Sequence, residues 1–335
     1  MADRLISDNI MVAFETLHYM RNHSSGNMGY MALKLDMSKT YDRVEWTYME
    51  KLMRKMGFAE AWVKLMMMCI SSATYSILIN GEPQGHITPT RGLRQGDPLS
   101  PYLFLLCTEG FHGLLKKAET LGDIRGVSIC RNGPRLTHLL FVDDSLIFCR
   151  AKASKCQKLL EVLTKYEGAS GQQINRDKTT LFFSKSTSQD MQNTIKTAFG
   201  VPVVQQYEKY LGLPSFIGRR KKESFDNIKQ RVWKKLQGWE GKLLSQAGRE
   251  ILIKAVAQAL PTYAMLCFKL PIELCHEIET LVKKKIRGAK RREQKDPLDK
   301  VGGALQTEDT RGDGFQRSFK IQRCTTHKAN LETLA

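Results

Sequence analysis

Acidic side chains are scarce in this chain: 34 Asp and Glu stand against 52 Lys and Arg, a formal charge of +18 over 335 residues. Such an excess suits a polyanionic partner, and equally the plainer reading of a solvated basic surface that keeps the protein soluble. No apolar run reaches membrane-spanning length and no amphipathic anchor is visible, which puts nucleic acid ahead of an anionic membrane. No C-x-x-C pair occurs among the eight cysteines, and the seven histidines never fall at metal-ligand spacing. That excludes a disulfide framework and a zinc knuckle. Most of the cysteines sit in apolar segments such as Met67–Ile70 and Leu105–Cys107, so they read as reduced, buried thiols of the cytosol or nucleus. The opening Met1-Ala2-Asp3-Arg4 is no signal peptide, and no internal repeat is present.

What is present is globular in composition, 42% hydrophobic and 26% charged, and long enough for two or three domains. Helical spacing predicts a helix from Ile10 to Tyr19, then a polar loop over 22–27 and a buried strand, Met31–Asp36. Asp42-Arg43-Val44-Glu45 has capping-box spacing and predicts a helix from there to Met56, with another over Glu60–Ser71. A strand over 73–79 ends at Asn80-Gly81, a hairpin signal. Asp97-Pro98 reads as the cap of a helix reaching Lys117. Residues 136–149 read as a hairpin around Asp143-Asp144-Ser145, followed by a helix over 154–166 and a strand over 180–183. Strands and helices mix without βαβ alternation, which predicts an α+β domain with a mainly antiparallel sheet. Beyond residue 206 the pattern is helical and basic, with Phe225, Ile228, Val232 and Leu236, then Ile251, Leu252, Ala255 and Val256, as the apolar faces.

Asp36 ends one apolar strand, and Asp143-Asp144 is framed by Leu139–Val142 and Leu146–Phe148. Like charges held close in apolar surroundings repel, and a divalent cation removes that penalty. If the two strands are neighbours, three carboxylates converge. Hard oxygen ligands suit Mg²⁺, and two such ions could clamp an in-line phosphoryl transfer. An Asp-Asp pair alone is weak evidence, since most such pairs are turn chemistry.

Three longer segments give the pair its context: Lys34–Trp46 (KLDMSKTYDRVEW), Arg91–Phe104 (RGLRQGDPLSPYLF) and Leu140–Phe148 (LFVDDSLIF). In order and spacing they resemble the central palm motifs of reverse transcriptases. Gly171–Thr179 (GQQINRDKT) and Lys209–Pro214 (KYLGLP) resemble the two motifs that follow. The resemblance is greatest to plant LINE-type, non-LTR retrotransposons and runs from Arg4 to about residue 290.

The resemblance implies an RNA-directed DNA polymerase with a reverse-transcriptase palm followed by a helical thumb, working on an RNA template, a DNA primer and dNTPs, with no membrane partner. It implies a fingers remnant over 1–30, palm over 31–205, basic thumb over 206–292 and a tail over 293–335. Asp36, Asp143 and Asp144 would be catalytic and would hold two Mg²⁺, with Mn²⁺ as the alternative ion. Tyr41 matches the aromatic gate that excludes a 2′-hydroxyl, against a rival reading as a core tyrosine at a helix start. Gln95 and Gly96 match the segment packed on the nascent base pair. Lys178 matches the lysine that protonates or neutralises the leaving pyrophosphate. Asp42 and Asp97 are set aside, because capping accounts for both. The family usually has alanine where Thr40 and Val142 stand; the valine should alter nucleotide fit without abolishing chemistry.

The same resemblance makes this a truncated copy that lacks most of the fingers and an upstream endonuclease. Residues 295–335 are polar and unlike the family; back-translated and shifted by one base they resemble its next segment, so a frameshifted, disordered tail is expected. Two other functions compete with an active polymerase: an inert relic that only binds nucleic acid, and a metal-dependent nuclease or phosphatase. The last leaves Tyr41, Gln95-Gly96 and Lys178 unexplained. A nuclear or cytoplasmic location is expected.

Overall fold

The structure, a computed structural model, describes residues 5–293 apart from 23–28, 131–132, 206–208, 219–220, 239–247 and 249–250, with side chains described as far as Lys283. Most of the loop read at 22–27 and the tail from residue 294 lie outside the described residues. The chain divides between Leu211 and Gly212 into two compact units.

In the first unit β1 (Tyr30–Leu35), β4 (His138–Phe141), β5 (Asp144–Arg150) and β6 (Thr180–Phe183) form one sheet in the order β4-β5-β1-β6. Every pairing is antiparallel, as the α+β reading expected. Alternation along β1 and β5 divides their side chains between two faces. Met31, Leu33, Leu35, Ile147 and Cys149 join a core with residues of α4 (Ser100–Thr120), α5 (Ala153–Ser170) and α6 (Gln189–Phe199). Ala32, Leu146 and Phe148 pack instead with Ala13, Leu17 and Met20 of α1 (Ile6–Asn22). Each fully buried Leu, Ile or Phe contributes roughly 1.5–3 kcal/mol, so the sheet is anchored from both sides. A third cluster joins α2 (Trp46–Lys55), α3 (Glu60–Ser71) and the start of α4 through Met49, Met53, Val63, Leu103 and Phe104.

The hairpin read at Asn80-Gly81 connects β2 (Tyr75–Ile79) to β3 (Glu82–Ile87), and both loop residues have positive φ, 53° and 89°. That is the backbone for which Asn-Gly is preferred. Both strands are exposed along their length.

Several sequence readings are corrected. The helix expected from Asp42 begins at Trp46, capped by Glu45 in an extended conformation without a side-chain bond. Tertiary pairing overrides the capping box: the Tyr41 carbonyl accepts from Leu93 N and that of Val44 from Gly92 N. Asp42 is therefore no cap. Asp97 accepts from Leu99 N at 2.8 Å in a turn before α4, which starts at Ser100 and reaches Thr120. Cys69 and Cys130 are exposed, whereas Cys107, Cys149, Cys156, Cys267 and Cys275 are buried.

In the second unit α7 (Lys221–Gln237) buries Phe225, Ile228, Val232 and Leu236, the face its spacing predicts. The next apolar face differs from the reading. Ile253 and Ala257 are buried while Ile251 is 65% exposed, because residues 253–257 form a π turn in which Gln258 N bonds Ile253 O. A π turn advances the buried face by more than an α turn, so 3.6-residue spacing misplaces it. The segment continues into α8 (Ala259–Cys267) and α9 (Ile272–Glu293). Glu277 of α9 accepts from Lys222 and Lys229 of α7, the latter at 2.7 Å. Among the described residues no helix is long and apolar enough to cross a membrane.

Candidate active site

Three carboxylates gather at one end of the central sheet. Register pairs Leu35 with Ser145 in the β1–β5 ladder, so one step further Asp36 stands level with Asp144. Phe141 pairs with Asp144 across the β4–β5 hairpin, which leaves Val142 and Asp143 as its two-residue tip. Valine takes the first tip position at φ 52°, a left-handed backbone that β-branched residues rarely adopt. Its side chain packs on the third apolar cluster, which holds the tip in place.

Asp36 and Asp144 share the face of Ala32 and Leu146, by the two-residue alternation of their strands. Lys34 lies on that face too, with Nζ 4.0 Å from Asp144 Oδ1 and 3.1 Å from the Lys209 carbonyl it donates to. Burial pushes the Asp144 carboxyl above its ordinary range, Lys34 pulls it down, and Asp143 and then Asp36 push it up. The three acids thus share one electrostatic environment, with Lys34 as the cation beside them.

Tyr41 lies in the loop after β1, partly buried, its ring 5.1 Å from that of Phe104. Burial first and the charge of Asp143 second raise its hydroxyl pKa, and the ring packs on the same apolar cluster as Val142 of the hairpin tip. The helix of the rival reading begins five residues later, but the ring does pack, partly buried, on the third apolar cluster. Segment 170–175 braces this loop from below. Asn175 N bonds Asp36 O, Ser38 N bonds Gln173 O, and Glu45 N bonds Ser170 O. Gly171 has φ 76°, and a Cβ there would fall 2.4 Å from the Arg43 carbonyl, so only glycine allows this approach. Gln172, 1% exposed, donates through Nε2 to Thr40 O at 2.8 Å.

Gln95 and Gly96 form an exposed turn before α4, with Gly96 at φ 85° and open space where a Cβ would stand. Lys178 is exposed in the turn before Thr179, whose Oγ1 accepts from Asp36 N at 3.2 Å. Sequence reasoning missed Lys34, Gln172 and Thr179 as parts of this site. All three lie inside the quoted motifs, but lysine, glutamine and threonine carry no signal of a partner outside their own element.

The donor set fits a hard divalent cation, being oxygen ligands whose mutual repulsion such an ion relieves. As the side chains stand, no group of three or more His, Cys, Asp or Glu among the described residues is arranged to hold a metal ion.

Comparison with known proteins agrees with the motifs. The family model described as reverse transcriptase (RNA-dependent DNA polymerase) matches residues 4–215. An uncharacterized mitochondrial protein of Arabidopsis thaliana is 59% identical over 68 residues, 20% of this chain and 56% of that one. The 149 kDa protein of transposon TX1 from Xenopus laevis is 25% identical over 82% of this chain and 20% of its own length. The Pol polyprotein of retrotransposable element R2 from Popillia japonica is 26% identical over 39% of this chain and 20% of its own. The chain thus spans between a fifth and about half of the relatives it matches. Telomerase from Candida albicans, a solved structure, matches 84% of this chain and 47% of its own at 13% identity, with a TM-score of 0.42. With the family model covering most of the chain, this protein belongs to the reverse transcriptase (RNA-dependent DNA polymerase) family.

Proposed function

We propose that the chain is the polymerase module of a plant LINE-type, non-LTR retrotransposon and copies an RNA template by adding dNTPs to a primer 3′-hydroxyl. The observation that carries this reading is the register placing Asp36 level with Asp144, next to Asp143 at the hairpin tip. Retrotransposon relatives in frog and beetle support the element type, and the plant relative supports the host. The first unit acts as palm, with α1 belonging to the fingers, and the helical second unit acts as thumb.

Asp36, Asp143 and Asp144 would hold the divalent ions, Mg²⁺ above all. When bound, these supply a polarised 3′-hydroxyl and charge neutralisation on the leaving pyrophosphate. Tyr41, braced by Phe104 and by the 170–175 segment, presents an aromatic face beside Asp143 against which a 2′-hydroxyl would clash. Gly96 leaves room for a base pair to approach the backbone. Lys178, exposed beside the strand that supports Asp36, gives a proton or a charge to pyrophosphate.

Primer extension on an RNA template with dNTPs and Mg²⁺ tests this directly. Wild-type protein should extend, and Asp143→Asn should bind the same hybrid but not extend it. A wild-type chain that binds the hybrid without extending it would be the inert relic; extension that survives Asp143→Asn would sink the site assignment.

A further inference from the structure

We propose that Arg125, Arg135 and Arg150 form a phosphate-binding site at the end of the central sheet opposite the catalytic carboxylates. Arg150 closes β5 opposite Tyr30, six residues and about 20 Å along the strand from Asp144. Its backbone N–H donates to Arg125 O at 3.1 Å. Val127 and Leu136 exchange both of their backbone bonds in an antiparallel bridge, at 2.9 and 2.8 Å, so Arg125 lies two residues from it on one segment and Arg135 one residue from it on the other. Gly126 permits the approach, since a Cβ there would fall 2.2 Å from the Leu136 carbonyl. Backbone pairing therefore brings the three residues to one corner of the sheet.

Nothing among the described residues neutralises them. None of the three side chains forms an ion pair with a carboxylate there, and Arg150 Nε is a buried donor without a partner. The charges of Arg150 and then Arg135, with burial, pull the Arg125 guanidinium below its ordinary range. Asp123, the nearest acid in sequence, acts on Lys158 instead. Converging cations of this kind ordinarily have an acid between them, because each holds the others at a cost. A phosphate group supplies that counter-charge, and its oxygens match the guanidinium fork two at a time. The ligand is a phosphate group, either in a nucleic-acid backbone lying across this end of the sheet or free in solution. The site stands apart from the polymerase centre and needs no catalysis.

The test is binding of an RNA–DNA hybrid by the full chain between about 50 and 200 mM salt, read as the slope of log affinity against log salt. Arg125→Gln and Arg135→Gln together should lower that slope by about 0.9, the value for one phosphate no longer neutralised. Lys196→Gln on α6, exposed and outside the trio, should leave it unchanged. A second arm follows melting temperature against inorganic phosphate. A rise in wild type that the paired variant loses, with the hybrid slope intact, assigns the site to free phosphate. The pair avoids Arg150, whose buried Nε makes its replacement a risk to folding. If the folded paired variant keeps both the wild-type slope and the wild-type response to phosphate, the site does not exist.

Discussion

Gln172 donates through Nε2 to the carbonyl of Thr40 at 2.8 Å, joining positions 132 residues apart in the chain. The bond ties the segment after α5 to the residue preceding Tyr41. Around it three backbone bonds, from Asn175 N, Ser38 N and Glu45 N, stitch the same two segments together. The conformation of the tyrosine loop is thus decided by a distant stretch of sequence.

Gln172→Leu should lower stability by about 1 kcal/mol, the net contribution of one buried hydrogen bond. Gln172→Glu should cost more at neutral pH, since it sets a carboxylate against a carbonyl at a position 1% exposed. Urea midpoints measure both. In primer extension, the Leu variant should incorporate ribonucleotides more readily relative to dNTPs, because Thr40 and with it Tyr41 lose a brace. Equal stability of all three proteins would show that the bond contributes nothing.

Val142 offers a reversal of the ordinary residue order. Alanine there keeps the Cβ and its left-handed strain, whereas glycine sheds it, a relief of roughly 1–2 kcal/mol. Both lose the valine packing on the third cluster. Val142→Gly should therefore be at least as stable as Val142→Ala, although glycine is ordinarily the worse by about 0.5–1 kcal/mol. Thermal melts of the two variants decide it, and a clearly less stable glycine variant would mean that the tip is not strained.

Much of this architecture was legible in the sequence where local signals act alone. Glu60–Ser71 and Thr180–Phe183 have the bounds their patterns indicate, and Asn80-Gly81 makes its hairpin, because spacing and turn chemistry decide them locally. The acidic site was legible in part: apolar framing marked Asp36 and Asp143-Asp144, but the register that makes Asp36 level with Asp144 is a property of the sheet. Where tertiary pairing competes, local signals lose. The capping box at Asp42 yields to the bonds of Tyr41 and Val44 with the 92–93 segment, and helical spacing at Ile251 yields to a π turn.

Glu277 gives the second unit a pH signature. Lys222 and Lys229 hold its carboxyl down at about 2 from an ordinary 4.5. A depressed folded pKa stabilises above the unfolded value and is lost as pH falls through the folded one. The difference in melting temperature between wild type and Glu277→Gln should be constant above pH 4.5 and vanish toward pH 2. A difference independent of pH over that window would assign the effect to packing rather than charge.

Lys34 and the three acids predict an exchange of one cation for another. Without divalent ions Lys34 is the positive charge beside Asp144, at 4.0 Å and with both side chains partly exposed. Such a pair contributes at most about 1 kcal/mol. Lys34→Met should therefore lower stability by up to about that amount in chelator. Asp36→Asn should leave the fold intact there, because removing one of several like charges relieves repulsion. Millimolar Mg²⁺ should reverse the order of effects. Wild type and Lys34→Met should both be stabilised, the gap between them should narrow, and Asp36→Asn should gain little. Melting temperatures with and without Mg²⁺ test the whole set. A gap between wild type and Lys34→Met that is unchanged by Mg²⁺ would show that lysine and metal do not share the same carboxylates. A normal Mg²⁺ response in Asp36→Asn would remove Asp36 from the ligand set.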